Sequence, residues 1–248
     1  MNYHEDISQV MVSYVEYPDY ITSRSNVFNI QEFVDYSKKN EAKRRPLISW
    51  FSSNVTPFRE LWGLGLLKAL SNDFAFLTHS QYKALSNAVI SEPCLALDQR
   101  GMRTCATVHY PFTLAIENSF EEDYASEKLW SAFERGVVPV MAGAPNTRSF
   151  IPEGSAIFIE DFKSPNELAE YLQEVSQDVE KYERYHAWRK WPQKQWPDGF
   201  RYRIKLSRAN LHCNLCVELA RQRYLERPEI VKALEDAESN GSRGDGQQ

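Results

Sequence analysis

Residues 111–146 read PFTLAIENSFEEDYASEKLWSAFERGVVPVMAGAPN, and two apolar runs inside this stretch decide the fold. Residues 112–117 (FTLAIE) and 137–141 (VVPVM) are short, rich in β-branched and aromatic side chains, and bounded by turn-forming residues. The second run shows no polar alternation, as expected of a strand covered on both faces of a sheet. Residues 126–135 (SEKLWSAFER) form a helix between them, and Gly136 suits its C-terminal cap. Pro139 cannot donate to a ladder, so it belongs near an edge or a strand end.

The same alternation extends outward. Downstream lie a short strand at 156–159, a capping box at Ser164-Pro165-Asn166-Glu167, and a helix with Leu168, Leu172 and Val175 on one face. An aromatic-rich helix follows over 179–190, and two Trp-Pro pairs with Gly199 then break the pattern. Upstream, residues 46–53 (PLISWFSS) read as a buried strand, with Thr56 and Pro57 as N-cap and first residue of a helix. Phe58, Leu61, Trp62, Leu66 and Leu70 give that helix an apolar face, although Gly63 and Gly65 weaken it by about 1 kcal/mol each. Residues 73–77 are the next strand and 80–107 are loop-rich. At the N-terminus, residues 10–14 suggest a short strand, Tyr17-Pro18-Asp19 a turn, and 38–45 (KKNEAKRR) a charged connector. Strands alternating with helices indicate an α/β domain with a doubly wound parallel sheet. The expected organisation is a remnant of another domain over 1–45, a Rossmann-like domain over 46–227, and a disordered polar tail over 228–248.

With 248 residues, 42% of them hydrophobic, the chain can bury a sizeable core. A net charge of −5 gives no general reason to expect nucleic-acid binding, which usually needs a basic face. No apolar run reaches the length of a membrane span, so the chain shows neither signal peptide nor anchor. The five histidines (His4, His79, His109, His186 and His212) lack metal-ligand spacing and read as packing or surface residues. The pair Cys213 and Cys216 forms a CxxC that is a local disulfide, a redox motif or half a zinc site. Cys94 and Cys105 are the other half in the last case.

Ligands of an open α/β sheet bind beyond the carboxyl ends of the strands, where helix N-termini present free amides. Asn118 falls at such a strand end, and Glu127 and Lys128 fall in the first turn of the next helix. A lysine there opposes the helix dipole unless an anion compensates, or unless Asp123 or Glu127 pairs with it. Glu127 suits vicinal hydroxyls, Tyr124 stacking or hydrogen bonding, and Asn118 ligand contact or loop fixing. Arg59 is the second cation, in the first helical turn after a strand, with a guanidinium that matches phosphate bidentately. No Asp-x-Asp metal motif occurs, and Lys128, Arg59 and the helix amides are the positive groups available to a phosphate at this strand end.

The order Glu117-Asn118-Ser119, Glu122-Asp123-Tyr124, Glu127-Lys128, then Val138-Pro139-Val140 with Gly143 and Pro145, resembles the donor-binding signature of the α-1,3/4-fucosyltransferases, glycosyltransferase family 10. The likeness is dense over 111–161 and thin over the rest of 46–227. It implies the C-terminal half of a GT-B enzyme that takes GDP-fucose as donor. The implied reaction is inverting, metal-independent transfer to a glycan acceptor containing N-acetylglucosamine, at the lumenal side of the Golgi membrane. By the same resemblance Arg59, Asn118, Tyr124, Glu127 and Lys128 bind the donor, and Cys213 and Cys216 pair as a disulfide. The general base of the family is a glutamate of the acceptor domain and is expected upstream of Met1, together with the membrane anchor. The competing expectations are an inactive nucleotide-sugar-binding fragment and a zinc-linked interaction module built on the four cysteines.

Overall fold

The computed structural model describes residues 15, 17–40, 46–52, 56–71, 74–77 and 110–208. Five parallel strands form the sheet: β1 (Ile48–Phe51), β2 (Phe74–Leu77), β3 (Phe112–Ile116), β4 (Val138–Ala142) and β5 (Ile157–Phe158). Among the described residues their spatial order is β2-β1-β3-β4-β5. The expected doubly wound, Rossmann-like sheet is therefore the architecture observed.

The residues of β3 and β4 sort by parity between two cores, since successive side chains leave opposite faces of a strand. Phe112, Leu114, Ile116, Val138, Val140 and Ala142 join one cluster. That cluster takes Trp62, Leu66 and Leu70 from helix α3 (Pro57–Leu70) and Leu168, Leu172 and Val175 from a later helix, Pro165–Gln177. Ala115 and Met141 join the other, with Leu129, Trp130 and Phe133 of helix α4 (Glu127–Arg135). Phe150 of α5 (Thr147–Phe150) and Phe200 of a C-terminal helix, Asp198–Arg208, complete it. Because α3 and α4 leave neighbouring strands for opposite faces, a crevice opens between the carboxyl ends of β1 and β3. This is the topological switch point of an open α/β sheet.

Two short N-terminal helices, α1 (Pro18–Thr22) and α2 (Ile30–Lys39), pack on the same body. Ile21 lies in the α4 cluster, and Ile30, Phe33 and Val34 lie in the α3 cluster. The turn expected at Tyr17-Pro18-Asp19 is instead the start of α1. Proline is preorganised for a first helical position, and burial of Ile21 rewards the helical conformation.

The helix expected over 179–190 also divides. Helix α7 (Val179–Arg184) follows α6 (Pro165–Gln177), and a 3-10 turn, Ala187–Lys190, comes after it. Tyr182 is buried in one cluster, its hydroxyl donating to Pro111 O at 2.8 Å, whereas Trp188 is buried in the other. The break carries the chain from one core to the other before α8 (Asp198–Arg208).

Pro139 is the second residue of β4 and stands opposite Thr113. Val138 N donates to Pro111 O on the β3 side, so the nitrogen of Pro139 faces the other way. There β5 pairs only with Val140 and Met141, and the missing donor leaves no ladder bond unmade. The glycine at position 63 in α3 also has a packing reason: a Cβ there would lie 2.2 Å from the Trp50 ring of β1. Among the described residues no helix is long and apolar enough to cross a membrane. The expected strand at 10–14, the loops at 80–107 and the tail lie outside the described residues.

Candidate functional site

The site begins where β3 ends. Glu117 continues the β3–β4 ladder by one bond, its N–H donating to Ala142 O at 2.8 Å, and its side chain then turns into the N-terminus of α4. Oε1 accepts from Ser126 N at 2.7 Å, and Oε2 accepts from Ser126 Oγ at 2.6 Å and Lys128 Nζ at 3.1 Å. The residue is only 1% exposed. A buried carboxylate survives there because an amide, a hydroxyl and an ammonium satisfy it at the positive end of a helix. Gly143 makes room for it, since a Cβ at that position would lie 2.9 Å from Glu117 Cγ.

Ser126 is the N-cap of α4, and Lys128 stands in the first turn. Lys128 Nζ donates to Ser126 Oγ at 2.7 Å and lies 3.5 Å from Glu127 Oε1, with 15% of its side chain exposed. The anion that offsets its unfavourable place on the helix dipole is thus Glu117, helped by Glu127. Asp123, the other partner considered from the sequence, pairs with Arg203.

Arg59 approaches from the neighbouring strand. Thr56 caps α3 by accepting from Arg59 N at 3.3 Å, with Pro57 in the first turn, as the sequence indicates. The Arg59 side chain is only 2% exposed, and its Nε donates to Ile116 O at 3.2 Å while Nη2 bonds the same oxygen. Burial pulls the Arg59 pKa down, and the charges of Glu117, Tyr124 and Glu127 oppose that pull. Arg59, Glu117, Tyr124, Glu127 and Lys128 consequently form one electrostatic cluster at the switch point. It contains two cations, two carboxylates and a phenol at the start of a helix.

The remaining expected residue, Asn118, follows Glu117 and is exposed at the strand end, while Tyr124 is half-buried. In the same loop, exposed Phe120 meets Phe58 edge to face at 5.0 Å. Glu117 and Ser126 join this cluster without a role assigned to either from the sequence. The available signal was a carboxylate ending an otherwise apolar strand, nine residues before the cap that it binds.

Among the described residues no group of three or more His, Cys, Asp or Glu is placed to hold a metal ion. Cys94, Cys105, Cys213 and Cys216 lie outside the described residues, and with them the disulfide and zinc expectations. His186 is a packing residue, with its ring centroid 5.3 Å from that of Tyr182.

The sequence profile described as "Glycosyltransferase family 10 (fucosyltransferase) C-term" matches residues 42–237. An alpha-(1,4)-fucosyltransferase of Arabidopsis thaliana is 33% identical over 186 residues, covering 71% of this chain and 45% of the relative. A 4-galactosyl-N-acetylglucosaminide 3-alpha-L-fucosyltransferase 9 of Mus musculus is 48% identical over 81 residues, 32% of this chain and 23% of the relative. The chain therefore spans less than half the length of these curated relatives. In fold it is similar to a crystallised alpha1,3-fucosyltransferase with GDP, at TM-score 0.56 and 13% identity over 88% of this chain and 68% of that one. A crystal structure of alpha1,3-fucosyltransferase with GDP-fucose gives TM-score 0.50 at 14% identity, over 84% and 69% of the two chains.

Proposed function

The chain belongs to glycosyltransferase family 10, the fucosyltransferases, and on that premise we propose that the switch-point cluster binds GDP-fucose and serves transfer of its fucose. The observation that carries the reading is the meeting of Lys128 and Arg59, from two different strand–helix crossings, at the carboxyl end of β3, with Lys128 on the buried carboxylate of Glu117 and Arg59 on the carbonyl of Ile116. A diphosphate presented at the start of α4 meets the positive end of that helix and the Lys128 ammonium. Arg59 forms the floor beneath it, its positive charge held in a largely desolvated position. Glu127, more open than Glu117, is placed to accept from sugar hydroxyls, and Tyr124 and Asn118 flank it on the loop.

Transfer in this reading is inverting. An acceptor hydroxyl of an N-acetylglucosamine-containing glycan attacks the anomeric carbon of fucose. The bond to the β-phosphate oxygen breaks, GDP leaves with the electron pair, and a general base takes the hydroxyl proton. Lys128, Arg59 and the helix amides stabilise the charge gathering on GDP, the electrostatic work that a metal performs in other transferases. Glu117 is not the base, because its carboxylate is enclosed and already accepts three hydrogen bonds. We assign that role to a carboxylate of the acceptor domain. The lumenal Golgi setting and the α-1,3 linkage belong to the same reading and draw their support from the family.

Calorimetric titration with GDP-fucose, followed by a transfer assay on an N-acetyllactosamine acceptor, tests this function. Binding with transfer supports the full reaction, and binding without transfer limits this chain to donor binding. Absence of binding refutes the reading.

A further inference from the structure

Asp123 is one of two non-glycine residues with positive φ among those described, at +62°. Aspartate enters the left-handed region more readily than most L-residues, and at Asp123 the surroundings also hold it there. Three groups from two distant parts of the chain do so. Asn146 Oδ1 accepts from Asp123 N at 2.9 Å, and Asn146 Nδ2 donates to Asp123 Oδ1 at 3.0 Å. Arg203 Nη2 donates to the same Oδ1 at 3.1 Å, and the Arg203 and Asp123 side chains are only 5% and 10% exposed.

Each partner is committed to this contact. Asn146 occupies the N-cap position of α5, yet its side chain makes no cap bond there. Its amide serves Asp123 instead. Arg203, on α8, is seated by stacking 3.9 Å over the Phe150 ring and by donating to Gly199 O at 3.3 Å. The loop so fastened runs from Glu117 to Ser126 and carries Asn118 and Tyr124, with Tyr124 next to the constrained residue.

We propose that Asp123, Asn146 and Arg203 are positioning residues, a clamp that fixes the β3–α4 loop in the shape that presents Tyr124 and Asn118 to the nucleotide-sugar. The proposal rests on the donor-site reading for the purpose of the loop, while the clamp is tested without any ligand. Through Arg203 it makes α8, which lies beyond the charged cluster, a support of the site.

The geometry dictates the test. Asn146→Asp sets a carboxylate against the Asp123 carboxylate while keeping an acceptor for Asp123 N. Asp123→Asn in the same chain restores a carboxylate–amide pair with the two groups exchanged. Hydrogen exchange of the amides at 118–125 is measured on the ligand-free protein, with the denaturation midpoint as fold control. Asn146→Asp should speed that exchange about tenfold, and the double variant should return it to within about threefold of wild type, as for directly coupled neighbours. GDP affinity measured by calorimetry should fall and recover in the same pattern. If Asn146→Asp does not fold, Arg203→Gln should show a comparable rise in exchange.

Wild-type exchange rates in the folded variants, or no recovery in the double variant, overturn the clamp. A wild-type loop exchanging like unstructured chain overturns it as well. Wild-type protein that binds no GDP refutes the donor-site reading and the purpose of the loop, an outcome distinct from unchanged exchange.

Discussion

Lys128 and Glu117 stand eleven residues apart, and Lys128 Nζ lies 3.1 Å from Glu117 Oε2, joining the end of β3 to the first turn of α4. The pair gives the buried carboxylate its counter-charge and gives the lysine a fixed direction. A diphosphate arriving at the helix start then finds a cation already oriented, so less side-chain freedom remains to be lost on binding.

Replacing Glu117 by Gln keeps the size of the side chain and removes its charge. Hydrogen bonds to a charged group contribute about 1.5–3 kcal/mol, and the buried site leaves the lysine few other partners. Glu117→Gln should therefore destabilise the fold by about 1–3 kcal/mol. Urea denaturation monitored by tryptophan fluorescence checks this, and an unchanged midpoint would show that the carboxylate is dispensable.

Gly143 acts through the same carboxylate. An added Cβ would meet Met141 Cε at 2.7 Å and Glu117 Cγ at 2.9 Å. Overpacking of this kind typically costs about 1–3 kcal/mol. Gly143→Ala should lower the denaturation midpoint accordingly and weaken GDP binding by displacing Glu117, as calorimetry on the folded variant would show.

His186 supplies a pH dependence. Its ring nitrogens are buried with no hydrogen-bond partner among the described residues, and burial followed by the nearby Arg189 charge lowers its pKa to about 3. The unfolded chain takes up the proton near the ordinary value of 6.5, whereas the folded chain resists it. Stability from this group is thus complete above pH 6.5 and is lost as pH falls from there toward about 3. The slope is at most about 1.4 kcal/mol per pH unit. Between pH 4.5 and 7 the wild-type midpoint should fall more steeply than that of His186→Phe. Parallel curves would contradict the assignment.

The middle of the chain was legible because its signals are local. Apolar runs, the capping box at Ser164 and the glycine after Arg135 specify strands and helix ends through neighbouring residues. Gly136 does take a left-handed conformation, at φ +70°. Lys128 and Arg59 were legible for the same reason, each lying in a first helical turn whose charge preference is known.

What stayed hidden depends on contacts distant in sequence. The α1 helix owes its place to burial of Ile21 and to Arg189, whose Nη1 donates to Ile21 O at 2.9 Å from 168 residues away. Neither residue announces the other. The division of the 179–190 segment follows from Tyr182 and Trp188 serving different cores, which no helical periodicity reveals. Glu117 read only as the polar last residue of a strand, because only the fold turns its side chain inward beneath Ser126. The same limit applied to Asp123, whose partners Asn146 and Arg203 are 23 and 80 residues away.

In the proposed function Lys128, held by Glu117 at the start of α4, binds the diphosphate of the nucleotide. Isothermal titration of GDP into wild type and Lys128→Ala tests it most directly, with denaturation midpoints confirming that both are folded. Loss of one charge-assisted contact of about 1.5–3 kcal/mol should weaken GDP binding roughly 10- to 100-fold. A folded Lys128→Ala protein that binds GDP as tightly as wild type would contradict the account.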